Sequence, residues 1–182
     1  MTVLQDWNML VTVRESCYQE ARQRLCELGE VGETGFFNVL VLRVDNIHQT
    51  LERLRAWFET EPQIPDWFGH AVPVTTTFSF ANPAEFGSQA RAAVMDWLQE
   101  LAGKSFHVRM RRRGFKGRLS SQEEERRLGS VIIETLAEAG TPARVTFDDP
   151  DVIIFVETVG QQAGLSIWTR EMLARYPFLH PD

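Results

Sequence analysis

The 182-residue sequence predicts an α/β (α+β) chain of two small modules, and three observations carry that reading. Segments with apolar residues at every second position alternate with segments whose apolar residues recur every three to four positions. Glycine, proline and asparagine punctuate these segments at their ends. Hydrophobic residues make up 43% of the chain, with five Trp and twelve Phe, enough for packed cores and incompatible with a disordered chain.

Asn8 to Val13 reads as a short strand. Ser16 and Gln19 have capping-box spacing, in which the hydroxyl satisfies a free N–H while the amide reaches back. They predict a helix with Cys17, Ala21, Leu25 and Leu28 as its apolar stripe and Gly29 as its stop. Phe36 to Val44 is apolar almost throughout, as in a strand covered on both faces. Asp45-Asn46 starts a helix marked by Ile47, Leu51, Leu54 and Phe58. After a break at Pro62–Trp67, Val72 to Phe80 alternates apolar and polar residues and reads as one strand.

The second half starts at Asn82-Pro83-Ala84-Glu85, an N-cap, a first-turn proline and a capping glutamate. Phe86, Ala90, Val94, Trp97, Leu98 and Leu101 give that helix a buried face, and Gly103 stops it. Ser105–Arg111 reads as a strand with Phe106, Val108 and Met110 turned inward. Ser120 and Glu123 cap the next helix, striped by Leu128, Val131, Ile132, Leu136 and Ala139. Ala143–Phe147, Val152–Glu157 and Leu165–Thr169 follow as strands, with a helical tail from Arg170. The boundary falls near Ala81: residues 1–81 read βαβαβ, compatible with a ferredoxin-like unit, and residues 82–182 read αβαβββ.

Several chemistries are poorly supported. Gly29, Gly32 and Gly35 form GxxGxxG ahead of a strand, whereas a dinucleotide loop leads into a helix N-terminus. Gly103-Lys104-Ser105 has a helix before it and a strand after it, the reverse of a phosphate loop. His48, His70, His107 and His180 lack metal-ligand spacing. Asp148, Asp149 and Asp151 around Pro150 read as a turn, with a cation site as the alternative. No cofactor, metal or catalytic residue is assigned. Cys17 and Cys26 lie about 2.5 helical turns apart, cannot bridge within one helix, and read as small buried thiols. With no apolar run near ~20 residues and no signal region, a reducing cytoplasmic setting without a membrane is expected.

The charge pattern is the pointer to function. Lys104 to Arg118 carries seven of the chain's basic side chains and none of its 25 acidic ones, inside a protein of net charge −6. Such an island suits a polyanion site, and equally a solvated strand and turn. Alternation puts His107, Arg109, Arg111 and Arg113 on one face. Gly114-Phe115-Lys116-Gly117-Arg118 extends the charge, with Phe115 either a stacking face for a base or packed under the loop. The helix from Ser120 would add N–H donors, Arg126 and Arg127 would lengthen the strip, and Glu123–Glu125 would act as dipole partners or an outer rim.

These residues resemble the THUMP domain, an RNA-binding module attached to thiouridine synthases, RNA methylases and pseudouridine synthases. The similar elements are Ser105-Phe106-His107-Val108-Arg109, Arg112-Arg113-Gly114, Ser121-Gln122-Glu123 and Leu128-Gly129. They continue through Val145-Thr146-Phe147-Asp148-Asp149-Pro150-Asp151-Val152 and Ile154-Phe155-Val156-Glu157. Val72-Pro73-Val74 is similar to stand-alone THUMP proteins that assist tRNA cytidine acetylation. The resemblance implies a ferredoxin-like unit followed by a THUMP-like domain that grips tRNA near its acceptor end while a separate enzyme modifies it. The RNA-contacting residues it implies are Arg109, Arg111, Arg112, Arg113 and Lys116, with Arg118 beside them. Phe115 joins them as the candidate stacking residue.

Relatives of that kind carry a further catalytic domain, and the 182 residues read here show neither a methyl-donor motif nor an ATP pyrophosphatase loop. A non-catalytic tRNA-binding adaptor is therefore the expected function. The alternatives are a small RNA-modifying enzyme with His107 as acid or base, and an interaction module for an acidic protein partner.

Overall fold

The computed structural model describes residues 4–180, which form two compact units: residues 4–74 with 173–180, and residues 75–172. The division falls at Val74/Thr75, ahead of the boundary expected near Ala81, and the segment 173–180 belongs to the first unit.

In the first unit, β1 (Met9–Val13) leads to α1 (Tyr18–Leu25), then to the hairpin β2 (Glu30–Glu33) and β3 (Val39–Arg43). Then come α2 (Ile47–Thr60), the single turn α3 (Ile64–Trp67) and β4 (Phe68–Pro73). The strands pair in the order β2-β3-β1-β4, every neighbour antiparallel. Counting α2 and α3 as one crossover, this βαββαβ succession is the ferredoxin-like arrangement. Leu10, Leu25, Leu40, Leu42, Leu54 and Ile64 fill its core.

The βαβαβ pattern legible in the sequence lacks one strand, because β2 hides in a glycine-rich stretch. Those glycines have packing and turn roles. A Cβ on Gly29 would sit 2.2 Å from the Arg43 carbonyl oxygen, one on Gly32 would sit 2.8 Å from Leu4 Cγ, and Gly35 turns the hairpin at φ +76°. The expected Ser16 cap is not made. Glu15–Cys17 form a 3₁₀ turn, Ser16 Oγ lies 3.6 Å from Cys17 Sγ, and α1 begins only at Tyr18. Both cysteines are free thiols; Cys17 is half-buried, but Cys26, at the C-cap of α1, is exposed and not buried as expected. Asn46 does cap α2, its Oδ1 accepting from Gln49 N at 2.9 Å.

The second unit runs β5 (Thr76–Ser79), α4 (Pro83–Met95), α5 (Leu98–Leu101), β6 (Ser105–Arg111) and α6 (Ser121–Glu138). It continues with β7 (Arg144–Val145), β8 (Val152–Val159) and β9 (Gln162–Thr169); helix α7 (Arg170–Arg175) follows. The sheet order is β5-β9-β8-β6-β7. β6 is parallel to both neighbours, whereas β9 is antiparallel to β5 and β8. Val72–Phe80, read as one strand, is thus two: β4 pairs with β1 and β5 with β9. Alternation cannot reveal which sheet a residue joins.

Phe86, Ala90 and Val94 of α4 and Leu128, Ile132 and Leu136 of α6 pack with Phe106, Val108 and Met110 of β6 in one apolar cluster. Asn82 Oδ1 accepts from Glu85 N at 2.9 Å, and Glu85 Oε2 accepts from Ala81 N at 2.7 Å, so both predicted capping residues are used. The strand expected over Ala143–Phe147 is only the two-residue β7. Among the described residues, no helix is long and apolar enough to cross a membrane.

Candidate nucleic-acid interface

β6 runs between β8 and β7: β8 pairs with it from Phe106 to Arg111, and β7 only at Ser105 and Phe106. Phe106, Val108 and Met110 are buried as the alternation predicts. On the other face, His107 is also buried, while Arg109 and Arg111 are half-buried.

The strand arginines are not the open row of cations that the sequence suggests. Arg111 Nη1 donates to Glu157 Oε1 at 3.0 Å, and Arg113 Nη1 donates to Glu157 Oε2 at 2.6 Å. Glu157 is 1% exposed, and the two arginine side chains are 14% and 15% exposed. The cause is register: β8 places Glu157 beside Arg111 in the parallel ladder. Arg111 also sets its guanidinium 5.5 Å from the centre of the Phe155 ring. The main chain of Arg113 is fixed by Thr158 Oγ1, which accepts from its N–H at 2.9 Å, and by Gly160 N, which donates to its carbonyl at 2.8 Å. Arg112 turns back to donate to the Gly114 carbonyl.

The loop after β6 reverses direction through left-handed backbone at Gly114 (φ 97°), Phe115 (φ 53°) and Gly117 (φ 77°). Arg118 N and Leu119 N both donate to the Phe115 carbonyl, closing the turn, and Leu119 is buried beneath it. Phe115 is half-buried against the apolar cluster, its ring centre 5.0 Å from that of Phe80, and Arg118 lies 4.9 Å over it. Of the two readings left open for this residue, packing under the loop is the one the structure shows. Lys116 and Arg118 are exposed, and neither forms an ion pair among the described residues.

The start of α6 is already occupied by acids. Ser120 Oγ accepts from Glu123 N at 3.4 Å, Glu125 Oε1 accepts from Met110 N at 2.8 Å, and Arg127 Nη1 reaches Glu124 Oε1 at 2.7 Å. Glu124 is buried, which pushes its carboxyl above the usual range against the pull of Arg127. These acids sit at the positive end of the helix, which favours negative charge. Arg126 and Arg127 are exposed further along.

His107 Nδ1 lies 3.1 Å from the Thr146 carbonyl oxygen, and its ring centre lies 5.2 Å from that of Phe147. Burial, more than any neighbour, lowers its pKa below the ordinary histidine value, so the imidazole is neutral near pH 7. Phe147 is 78% exposed, an open aromatic that the strand reading of this stretch concealed. The acidic turn is structural. Asp151 Oδ2 accepts from Ser105 N and Oγ at 2.9 and 3.0 Å, and Arg170 binds Asp149 and Asp151. Among the described residues, no group of three or more His, Cys, Asp or Glu could hold a metal ion.

Comparison with known proteins bears on this geometry. No curated protein sequence matches the chain. Among solved structures, TrmN from Thermus thermophilus is similar with a TM-score of 0.61 at 21% identity, over 87% of this chain and 44% of that one. PH1313 from Pyrococcus horikoshii Ot3 gives 0.57 at 14% identity, over 88% and 54%. A 4-thiouridine synthetase in complex with RNA and bound ATP gives 0.53 at 14% identity, over 90% and 42%. At such identities the likeness is one of fold, and this chain spans about half of each matched chain or less. Residues 85–167, from the start of α4 to near the end of β9, match the family model of the THUMP domain. The chain therefore carries a THUMP domain.

Proposed function

We propose that this chain binds tRNA through β6 and the loop that follows it, and presents the tRNA to a separate modification enzyme. The THUMP domain is the observation that carries the reading. The site itself supports it: Lys116 and Arg118 are exposed on a closed, glycine-turned loop, directly after Arg109, Arg111, Arg112 and Arg113. Guanidinium groups suit phosphate because their planar forks match its oxygens. Phosphate contacts give affinity and register but little sequence discrimination, as a unit serving many tRNAs requires. The acceptor end, with its unpaired nucleotides, is the part of tRNA that this loop would hold.

The test is tRNA binding as a function of salt. If four to six phosphates of an unpaired end are neutralised, log affinity against log salt should have a slope on the order of −3 to −4. A salt-independent affinity contradicts the reading. The adaptor role is tested separately: purified protein should leave undermodified tRNA unchanged and raise the rate of an added modification enzyme. Turnover by the protein alone would make it an enzyme.

A further inference from the structure

Helices α4 and α6 leave a groove of about 660 Å3 between them, within the size range of small-ligand sites. Its floor is small or apolar, with Ala84 and Gly87 on α4 and Leu128 and Val131 on α6. Glu124 also lines it, although that residue is only 2% exposed. Glu124 Oε1 accepts from Arg127 Nη1 at 2.7 Å, whereas Oε2 has no hydrogen-bond partner among the described residues. The second oxygen is turned across to α4, since a Cβ built on Gly87 would lie 3.9 Å from it. A buried carboxylate oxygen without a donor is costly, and a donor brought by a ligand would offset that cost. Arg91 on α4 and Arg126 on α6 are exposed along the same groove, and neither forms an ion pair among the described residues. Glu134 is the opposing charge on the rim.

We propose that this groove binds a nucleotide whose base carries an exocyclic amino group, the amine donating to Glu124 Oε2 and the phosphate meeting Arg91 and Arg126. The kinds of group in the groove set the chemistry. A buried acceptor suits an amine, an apolar floor suits a flat ring, and exposed guanidinium groups suit phosphate. Adenine, cytosine and guanine each offer an amino group. Uracil flanks its one N–H with two carbonyl oxygens, and these would face the carboxylate. The two helices cover the side of β6 that carries Phe106, Val108 and Met110, so the groove is separate from Arg109 and Arg111 on the opposite side. The proposal therefore does not depend on the RNA-binding reading above.

Titration with AMP, CMP, UMP and adenosine, followed by the amide resonances of Gly87 and Val131, tests each contact by itself. AMP and CMP should bind about tenfold more tightly than UMP, the share of one hydrogen bond to a charged acceptor. AMP should also bind more tightly than adenosine, and that difference should vanish when Arg91→Ala and Arg126→Ala are combined. Glu124→Gln puts an amide N–H where Oε2 stood if the amide oxygen keeps the bond from Arg127. It should bring the preference for AMP over UMP down to one or below. A merely structural role for Glu124 would weaken all nucleotides equally.

Gly87→Leu fills the groove and replaces a glycine inside a helix by a better helix former, so it should fold and lose AMP binding. It decides if Glu124→Gln does not fold. Unchanged AMP affinity in Gly87→Leu, or equal affinities for AMP and UMP in the wild type, overturns the proposal. So does an absence of AMP binding at millimolar concentration, which leaves the RNA-binding reading, measured on a tRNA transcript, intact. Adding a transcript with unpaired terminal nucleotides to the AMP complex separates the two sources of the ligand. Displacement of AMP assigns the groove to a nucleotide of RNA and retention assigns it to a free nucleotide; both results support the site.

Discussion

The Phe115 ring is tilted against that of Phe80, centres 5.0 Å apart, so the aromatic residue of the basic loop is its anchor in the apolar cluster. Phe115→Ala should therefore cost about 1–3 kcal/mol, less than a fully buried phenylalanine because the side chain is only half covered. Thermal unfolding should show a clear fall in Tm, with Phe115→Leu recovering much of it. An unchanged Tm in Phe115→Ala would mean that the ring does not hold the loop.

Gly117 tests the loop backbone without disturbing packing. Its φ is +77°, and a Cβ built there meets nothing within 4 Å. Gly117→Ala should cost about 1 kcal/mol from conformation alone. Gly117→Asn should cost less, since asparagine tolerates the left-handed region better. Urea unfolding of the two variants gives the order.

Glu52 gives the first unit a defined acid response. Arg175 donates twice to its carboxylate, both at 2.9 Å, and the Tyr176 hydroxyl donates at 2.6 Å. These bonds, Arg175 first and Tyr176 second, lower the Glu52 pKa from its ordinary 4.5 to about 2. Because the folded value is the depressed one, the stabilisation is fully present above the ordinary carboxylate range and is lost as pH falls towards 2. Glu52→Gln should lower Tm at pH 7, and the difference from wild type should close between pH 4.5 and pH 2. A Tm difference independent of pH would show that the carboxylate charge is not responsible.

Lys116 and Arg118 separate the loop from the strand. Replacing both with alanine should weaken tRNA binding to a similar degree across tRNA sequences. It should also make the salt slope shallower by about 1 to 1.5, the share of two phosphate contacts on a single strand. Weaker binding with an unchanged slope would mean that the pair acts through the fold.

The sequence shows its elements where local chemistry decides them. The caps at Asn82 and Ser120 are each made by the side chain that the spacing picks out. The inward positions of β6 follow from alternation alone. What stays hidden depends on partners distant in the chain. Glu157, about forty-five residues beyond the arginines it binds, offers no local signal, and so the basic run looks more open than it is. Val72–Phe80 alternates smoothly even though β4 and β5 serve different sheets. β2 is short, and its one glycine is needed for close packing against Leu4, so the usual β-branched pattern is thin there.

The pairing of β5 with β9 has a consequence for synthesis on the ribosome. Thr76 finds its partner Leu165 only after most of the second unit has been translated. Phe178 and Leu179, buried in the first unit, emerge later still. Neither unit can finish folding while its last segments remain in the exit tunnel, so a nascent chain halted near residue 160 should be protease-sensitive in both halves.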